Sequence, residues 1–251
     1  MMTINDNRGF MYQAGIHGIP QNKCKHGEAN DPTISDPNFR LFLPWHRAYL
    51  YWFEKYLQDA QRDSTITVPW WDWTSGASRS EGIPKAYSDA KVKANPNSLY
   101  SFHVILPDGV NLDDFIQQTG CQKSKVYDTH REPGSPSLLP TPKDVEAVLN
   151  LTEYGDFSDG LEDIHNQIHG WVGGKCGDMS YVPFAAYDPI FWSHHVMIDR
   201  LFWLWQLRPS HSLPLYLNNA VLDPFNLTVK QVLNIYSLGY DYASQQVLAE
   251  M

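Results

Sequence analysis

His165 and His169 stand four residues apart in the run Asp159 to Val172, where Leu161, Ile164, Ile168 and Trp171 recur every three or four positions. That spacing predicts a helix stopped by Gly173-Gly174, with both imidazoles on one face. Two further predicted helices carry histidines among aromatic residues. In Pro44 to Arg62, Pro44 suits the first turn, and Tyr49, Trp52, Phe53, Tyr56 and Leu57 follow helical spacing behind His46. In Asp188 to Leu207, Asp188 is a good N-cap, Pro189 a good first helical residue and Pro209 the end of the run, with His194 and His195 mid-helix. A shorter helix is expected within residues 4–17. Histidines turned inward from several helices of a bundle build metal sites in its core.

A lone histidine on an apolar helix is more often a core residue bonded to a carbonyl or carboxylate than a ligand. A pair four apart is a stronger signal, and three such helices in one chain strengthen it further. Neutral imidazole suits copper, zinc, iron and nickel alike. His103, His130 and His211 lie in polar, loop-like contexts and are read as non-ligands.

The rest of the chain reads as wrapping. The stretch from Thr74 to Pro142, rich in Pro, Gly and Ser, is expected to form loops with a short strand at Phe102–Leu106, and a helix is expected at Val229–Leu238. Apolar residues make up 43% of the 251, enough for a sizeable core, and both halves lean on the same helices, so 1–251 is read as one domain. The fold class is mainly α: a four-helix-bundle core wrapped by long loops. A formal net charge of -9 argues against nucleic acid and offers no basic patch to an anionic membrane. The N-terminus shows no signal peptide, and no apolar run is long enough to span a bilayer, so the expectation is cytoplasmic, with secretion left open. Cys24, Cys121 and Cys176 do not make a disulfide framework; Cys121 and Cys176 are free or paired. Asn150-Leu151-Thr152 and Asn226-Leu227-Thr228 fit the glycosylation pattern, which matters only in a secreted protein.

Three motifs together carry a family resemblance. Phe42-Leu43-Pro44-Trp45-His46-Arg47-Ala48-Tyr49-Leu50 resembles the first-copper signature of tyrosinases, catechol oxidases and molluscan hemocyanins. The run from Asp188 to Leu201 resembles their second-copper signature, and Leu161-Glu162-Asp163-Ile164-His165-Asn166-Gln167-Ile168-His169 is similar to the helix bringing two more ligands. The resemblance covers most of 40–60 and 160–207 and implies a dicopper site with three histidines per ion. The second copper would take His165, His169 and one of the tandem pair. Helical geometry alone does not choose between them; the resemblance implies His195, leaving His194 as a packed neighbour. The first would take His46, His26 and His17, the only histidines upstream. Pro37 occupies the position nine before His46 where the family often has its middle ligand, so an insertion within Gly27–Arg40 is expected. Cys24-Lys25-His26 resembles an element whose sulfur is bonded to the middle ligand's ring; the alternative is an ordinary free Cys.

The resemblance also implies roles around the ligands. Glu162, with Asp163 as competitor, and Asn166 would hold a water that takes a phenol's proton. Val182 and Gly170 would leave the entrance over the second copper open to a ring. Trp45, Phe191 and Trp192 would wall the site. Asp199, with Arg200, would lock helices together behind the ligands. The expected activity is a copper oxidoreductase using dioxygen as co-substrate to hydroxylate monophenols and oxidise o-diphenols to o-quinones. The alternatives are a catechol or o-aminophenol oxidase and, further off, an oxygen carrier like hemocyanin. The stretch after His195 is too short for the covering β-domain of molluscan hemocyanin, which favours an enzyme acting on small phenols. A helical zinc hydrolase would leave the tandem signatures unexplained.

Overall fold

A computed structural model describes residues 1–26 and 39–243. The segment in which the insertion was expected, Gly27–Arg40, lies outside the described residues except for its last two. Within those described, the α-helices are α1 (Phe10–His17), α2 (Phe42–Gln61), α3 (Gly76–Glu81), α4 (Lys85–Ser88), α5 (Asp113–Thr119), α6 (Pro142–Leu149), α7 (Tyr154–Gly173), α8 (Val182–Ala185), α9 (Ile190–Gln206), α10 (Val229–Val232) and α11 (Ile235–Leu238). Three two-stranded antiparallel ribbons accompany them: β1 (Lys91–Val92) with β2 (Asn95–Pro96), β3 (His103–Ile105) with β4 (Val126–Asp128), and β5 (Val221–Leu222) with β6 (Leu227–Thr228). The fold is mostly helical. No helix among the described residues is long and apolar enough to cross a membrane.

The centre is α9, in which every residue but Gln206 is buried. A helix apolar all round must be enclosed, and α2, α6 and α7 pack against it. Stacked rings make much of this contact: Phe157 of α7 on Trp205 of α9 at 4.4 Å, and Phe53 of α2 on Trp192 of α9 at 3.4 Å. The Asp188 side chain accepts from the Ile190 amide at the start of α9, which begins one residue after Pro189. Gly174, at φ 60, stops α7 where the glycine pair predicts it. α1 starts at Phe10, because Asp6 to Gly9 form a turn in which Asp6 holds the Arg8 guanidinium. A Cβ on Gly18 would stand 2.4 Å from the Pro183 carbonyl oxygen, so only glycine lets the end of α1 meet α8.

The expectation of loops across 74–142 is corrected by α3 to α5 and two of the ribbons. Of these only α3 has a side-chain cap, the Ser75 hydroxyl accepting from the Ser78 amide. They are too short for periodicity to reveal. The helix expected at Val229–Leu238 is two turns, because the Asn234 side chain accepts from the Tyr236 amide and starts a new one. Cys121 and Cys176 form a disulfide that ties the end of α5 to the segment after α7. Arg131 anchors the same wrapping to α9 through bonds of 2.7 and 2.9 Å from Nε to Asp188.

The expected Asp199–Arg200 lock is replaced by a different pair. Asp199 of α9 accepts from Nε of Arg47, the residue after His46, at 2.5 Å, and both side chains are buried. Tyr240 and Tyr242 donate to its other oxygen at 2.7 and 2.5 Å, and Arg47 also donates to Gln206 and the Val232 and Leu233 carbonyls. Arg200 instead lies over the Trp70 ring. Removing one partner of a buried ion pair strands the other charge, at a cost of about 3–5 kcal/mol. Asp199→Ala should therefore lower unfolding stability by that order in a urea titration; a change within about 0.5 kcal/mol would show the pair to be dispensable.

Candidate metal centre

His17 closes α1, His46 lies in the first turns of α2, His165 and His169 project from one face of α7, and His195 sits mid-way along α9. His26 follows α1 in a segment without regular secondary structure. These residues assemble into two clusters: His17, His26 and His46 in one, and His165, His169, His194 and His195 in the other, with potential ligand atoms in each within 4.8 Å of one another. The clusters face each other, since the His46 and His195 rings stack at 4.5 Å.

Five of the rings are held by their outer nitrogen. Nδ1 donates from His17 to the Val182 carbonyl at 3.3 Å, from His46 to the Phe42 carbonyl at 2.9 Å and from His169 to the Met179 carbonyl at 2.6 Å. His26 Nδ1 donates to Glu162 Oε1 at 3.1 Å, and His165 Nδ1 to Asn166 Oδ1 at 3.1 Å. With the proton fixed on Nδ1, each Nε2 is a bare lone pair. The Nε2 atoms point at one another: the lone pairs of His17 and His26 face at 3.3 Å, and His195, whose Nδ1 has no acceptor, brings its Nε2 to 3.3 Å from those of both His165 and His169. Facing lone pairs repel unless a cation sits between them. A tetrahedral ion with metal–nitrogen bonds of about 2.0–2.1 Å sets its nitrogens about 3.3–3.4 Å apart, which is the spacing found. The buried His46 Nε2, without a hydrogen-bond partner, fits the same account. All-imidazole donors with no carboxylate suit copper and disfavour the carboxylate-rich sites of harder cations.

The electrostatics agree. Burial, helped by neighbouring imidazoles, holds His17, His165 and His195 well below the ordinary histidine value; burial does the same to His46 against its Phe42 bond. Burial brings His169 down to about 4, against the Met179 bond. The rings are neutral at pH 7 and ready to coordinate. Because the folded values are depressed, the metal-free protein keeps its stability above the unfolded value of about 6.5 and loses it as pH falls towards about 4. The urea midpoint of the metal-free protein should drop between pH 6.5 and 4.5 and stay flat from 7 to 8; an unchanged midpoint at pH 5 counts against neutral buried imidazoles.

The remaining expected residues are placed as follows. Glu162 is buried at the His26 ring and Asn166 is exposed at the His165 ring, so each touches a histidine of a different cluster. Gly170 faces open space, with nothing within 4 Å of an added Cβ, and Val182 is 46% exposed. Asp199 reaches no cluster histidine; it acts beside His46 through Arg47. Trp45 and Phe191 do border the rings, at 4.9 Å from His46 and 4.1 Å from His195. Trp192 does not: its ring partners are Phe10, Tyr49, Phe53 and Phe191, because its side chain leaves α9 towards α2. Phe42, passed over in the sequence, lies 5.4, 4.7 and 4.8 Å from His26, His46 and His165. Its position four before His46, on the same helical face, was the available signal. Cys24 is a partly buried free thiol that burial pushes up to about 11.

The family model for the common central domain of tyrosinase matches residues 7–208. Units Oda to Odg of the G-type hemocyanin of Enteroctopus dofleini are 31% identical over 260 residues, covering 96% of this chain and 8% of that protein. The tyrosinase of Podospora anserina is 28% identical over 262 residues, covering 80% of this chain and 45% of its own. A functional unit of octopus hemocyanin superposes with a TM-score of 0.70 at 25% identity over 97% of this chain and 62% of that one. A Burkholderia thailandensis tyrosinase shares the fold, with a TM-score of 0.72 at 23% identity over 98% and 68%. The chain thus spans less than half the length of these curated relatives. Paired histidine clusters spaced for two ions, together with a family match over four-fifths of the residues, make this chain a member of the type 3 copper proteins, the superfamily of tyrosinases, catechol oxidases and hemocyanins.

Proposed function

We propose that this chain is a tyrosinase: it uses dioxygen to hydroxylate monophenols and to oxidise o-diphenols to o-quinones. The carrying observation is the pair of facing clusters whose Nε2 atoms converge at 3.3 Å. His17, His26 and His46 would hold one copper and His165, His169 and His195 the other, and α1, α2, α7 and α9 are read as the four-helix core carrying them. The single apolar cluster among the described residues supports reading 1–251 as one domain. When bound, the two coppers supply the binding and activation of dioxygen for attack on an electron-rich ring.

The chain's own residues do the rest. Glu162 orients His26, and its carboxylate is the base that would take a phenol's proton, directly or through a water. Asn166 fixes the His165 tautomer and offers its amide N–H groups at the exposed edge. Gly170 and Val182 leave room for a ring to approach. Phe42, Trp45 and Phe191 exclude water from the imidazoles. The disulfide supports an oxidising compartment over the cytoplasmic expectation.

The test is elemental analysis, expected to give two coppers per chain, with dioxygen uptake on adding a monophenol or a catechol. Uptake with catechol alone makes the chain a catechol oxidase. The extensive likeness to octopus hemocyanin favours oxygen carriage as a second reading, and reversible dioxygen binding without uptake would establish it. In the same preparation, a Cys24–His26 thioether would lower the intact mass by two hydrogens and remove one titratable thiol; a tryptic peptide with both residues unmodified rules it out.

A further inference from the structure

Two of the carbonyls that fix the rings belong to one short stretch of chain between α7 and α9. Met179 accepts from His169 of the second cluster at 2.6 Å, and Val182 from His17 of the first at 3.3 Å. Around them the chain makes only the short 3-10 helix Asp178–Ser180 and the start of α8. So short a stretch has no ladder of its own to set where a carbonyl points. A buried charge pair with the wrapping sets it instead. Lys123 Nζ donates to Asp178 Oδ1 at 2.5 Å, and the two side chains are 4% and 0% exposed. The other Asp178 oxygen accepts from the His130 amide at 3.0 Å, and the Asp178 amide donates to the His130 carbonyl at 3.1 Å. Asp178 directly precedes Met179. Lys123 also lies 4.8 Å over the ring of Phe184 in α8, close behind Val182. One ammonium group therefore touches both ends of the stretch. Buried ion pairs often give way to apolar residues without loss of stability, so stability alone does not account for one at this place.

We propose that Lys123 and Asp178 are positioning residues shared by the two halves of the centre. They fix 178–182 so that its carbonyls hold His169 and His17, one ring of each cluster, with Nδ1 protonated and Nε2 turned to the ion. The proposal rests on reading the clusters as a metal centre. Neither residue touches a cluster ring; the pair acts through the backbone it anchors. The alternative is that other ties already fix the stretch and the pair only fills space. Those ties are the Cys121–Cys176 disulfide and Glu132, which accepts from the Lys175 and Cys176 amides at 3.0 Å. The two accounts differ in what happens to the rings when the pair is broken.

The experiment follows the histidine Nδ1–H groups by heteronuclear NMR in the full chain, both metal-free and loaded with copper(I), which is diamagnetic. In Lys123→Met the Nδ1–H groups of His169 and His17 should exchange with water at least about tenfold faster. That of His46 should stay as in wild type, because its acceptor is the Phe42 carbonyl on its own helix. Copper(I) affinity should fall at both clusters by about 10–100-fold, the usual cost of losing a group behind the ligands. Lys123→Arg, which keeps the charge, should hold both properties near wild type. Lys123→Met combined with Asp178→Asn strands no charge and should show the same selective loss, so it decides if the single variant does not fold. Unchanged exchange at His169 and His17, equal acceleration at His46, or an affinity loss confined to one cluster overturns the proposal. If exchange responds selectively but wild type binds no copper, the positioning of the rings stands and the metal-centre reading fails.

Discussion

His46→Ala should leave about one copper per chain instead of two and abolish nearly all oxidation of phenols. The ring is buried, its Nδ1 is committed to the Phe42 carbonyl, and its Nε2 is turned towards the other rings of its cluster with no other partner. Alanine removes one of three donors, and a two-imidazole remnant does not hold an ion tightly. The second cluster is carried by α7 and α9 and keeps its own donors, so the loss should be of one ion and not two. Activity should fall further than copper content, because the proposed dioxygen chemistry would need both ions. His130→Ala is the control: its side chain is half-exposed and belongs to neither cluster. Elemental analysis and dioxygen uptake on the two variants and wild type check this. Two retained coppers, or full turnover, in His46→Ala would remove His46 from the centre.

How much of this was legible beforehand follows from the range of the interactions. The helices around His46, His165, His169 and His195 are long and periodic, and their apolar faces announce them. The acceptors that fix the rings are another matter. Three are main-chain carbonyls, at Phe42, Met179 and Val182, and no side-chain identity marks a carbonyl as an acceptor. The Arg47–Asp199 pair was within reach, because a charged residue inside an apolar helical run needs a buried partner; choosing Arg200 by proximity in sequence overlooked that neighbours on a helix point in different directions. The Cys121–Cys176 bridge spans 55 residues of chain, and three cysteines allow several pairings that only the path of the wrapping resolves. The short elements of 74–142 are held by single local bonds, the Ser75 cap of α3 and the Asn97 amide on the Ala86 and Asp89 carbonyls, which look the same in a loop. The tandem histidines lie beyond helical geometry altogether, since both are buried and both belong to the second cluster.

Glu162→Gln should cut monophenol turnover by about 10²–10⁴-fold, the range of a general base, and spare diphenol turnover to a much greater extent. A diphenol is easily oxidised and needs little help, whereas a monophenol has to lose its proton before its ring is a good nucleophile. The structure makes glutamine the discriminating replacement. Glu162 accepts from His26 Nδ1 at 3.1 Å, and a glutamine carbonyl can keep that bond, so His26 stays oriented and two coppers should remain. What is lost is the negative charge and the capacity to take a proton. Copper content unchanged, with a selective loss on monophenols, therefore assigns the base to Glu162 itself. Equal losses on both substrates accompanied by loss of copper would mean that Glu162 works only by positioning His26. Asp163, its exposed neighbour on α7, supplies the internal comparison, because Asp163→Asn alters the same local charge without touching either cluster. A monophenol-selective loss in Asp163→Asn, and none in Glu162→Gln, would move the role by one residue and onto the outer face of the helix.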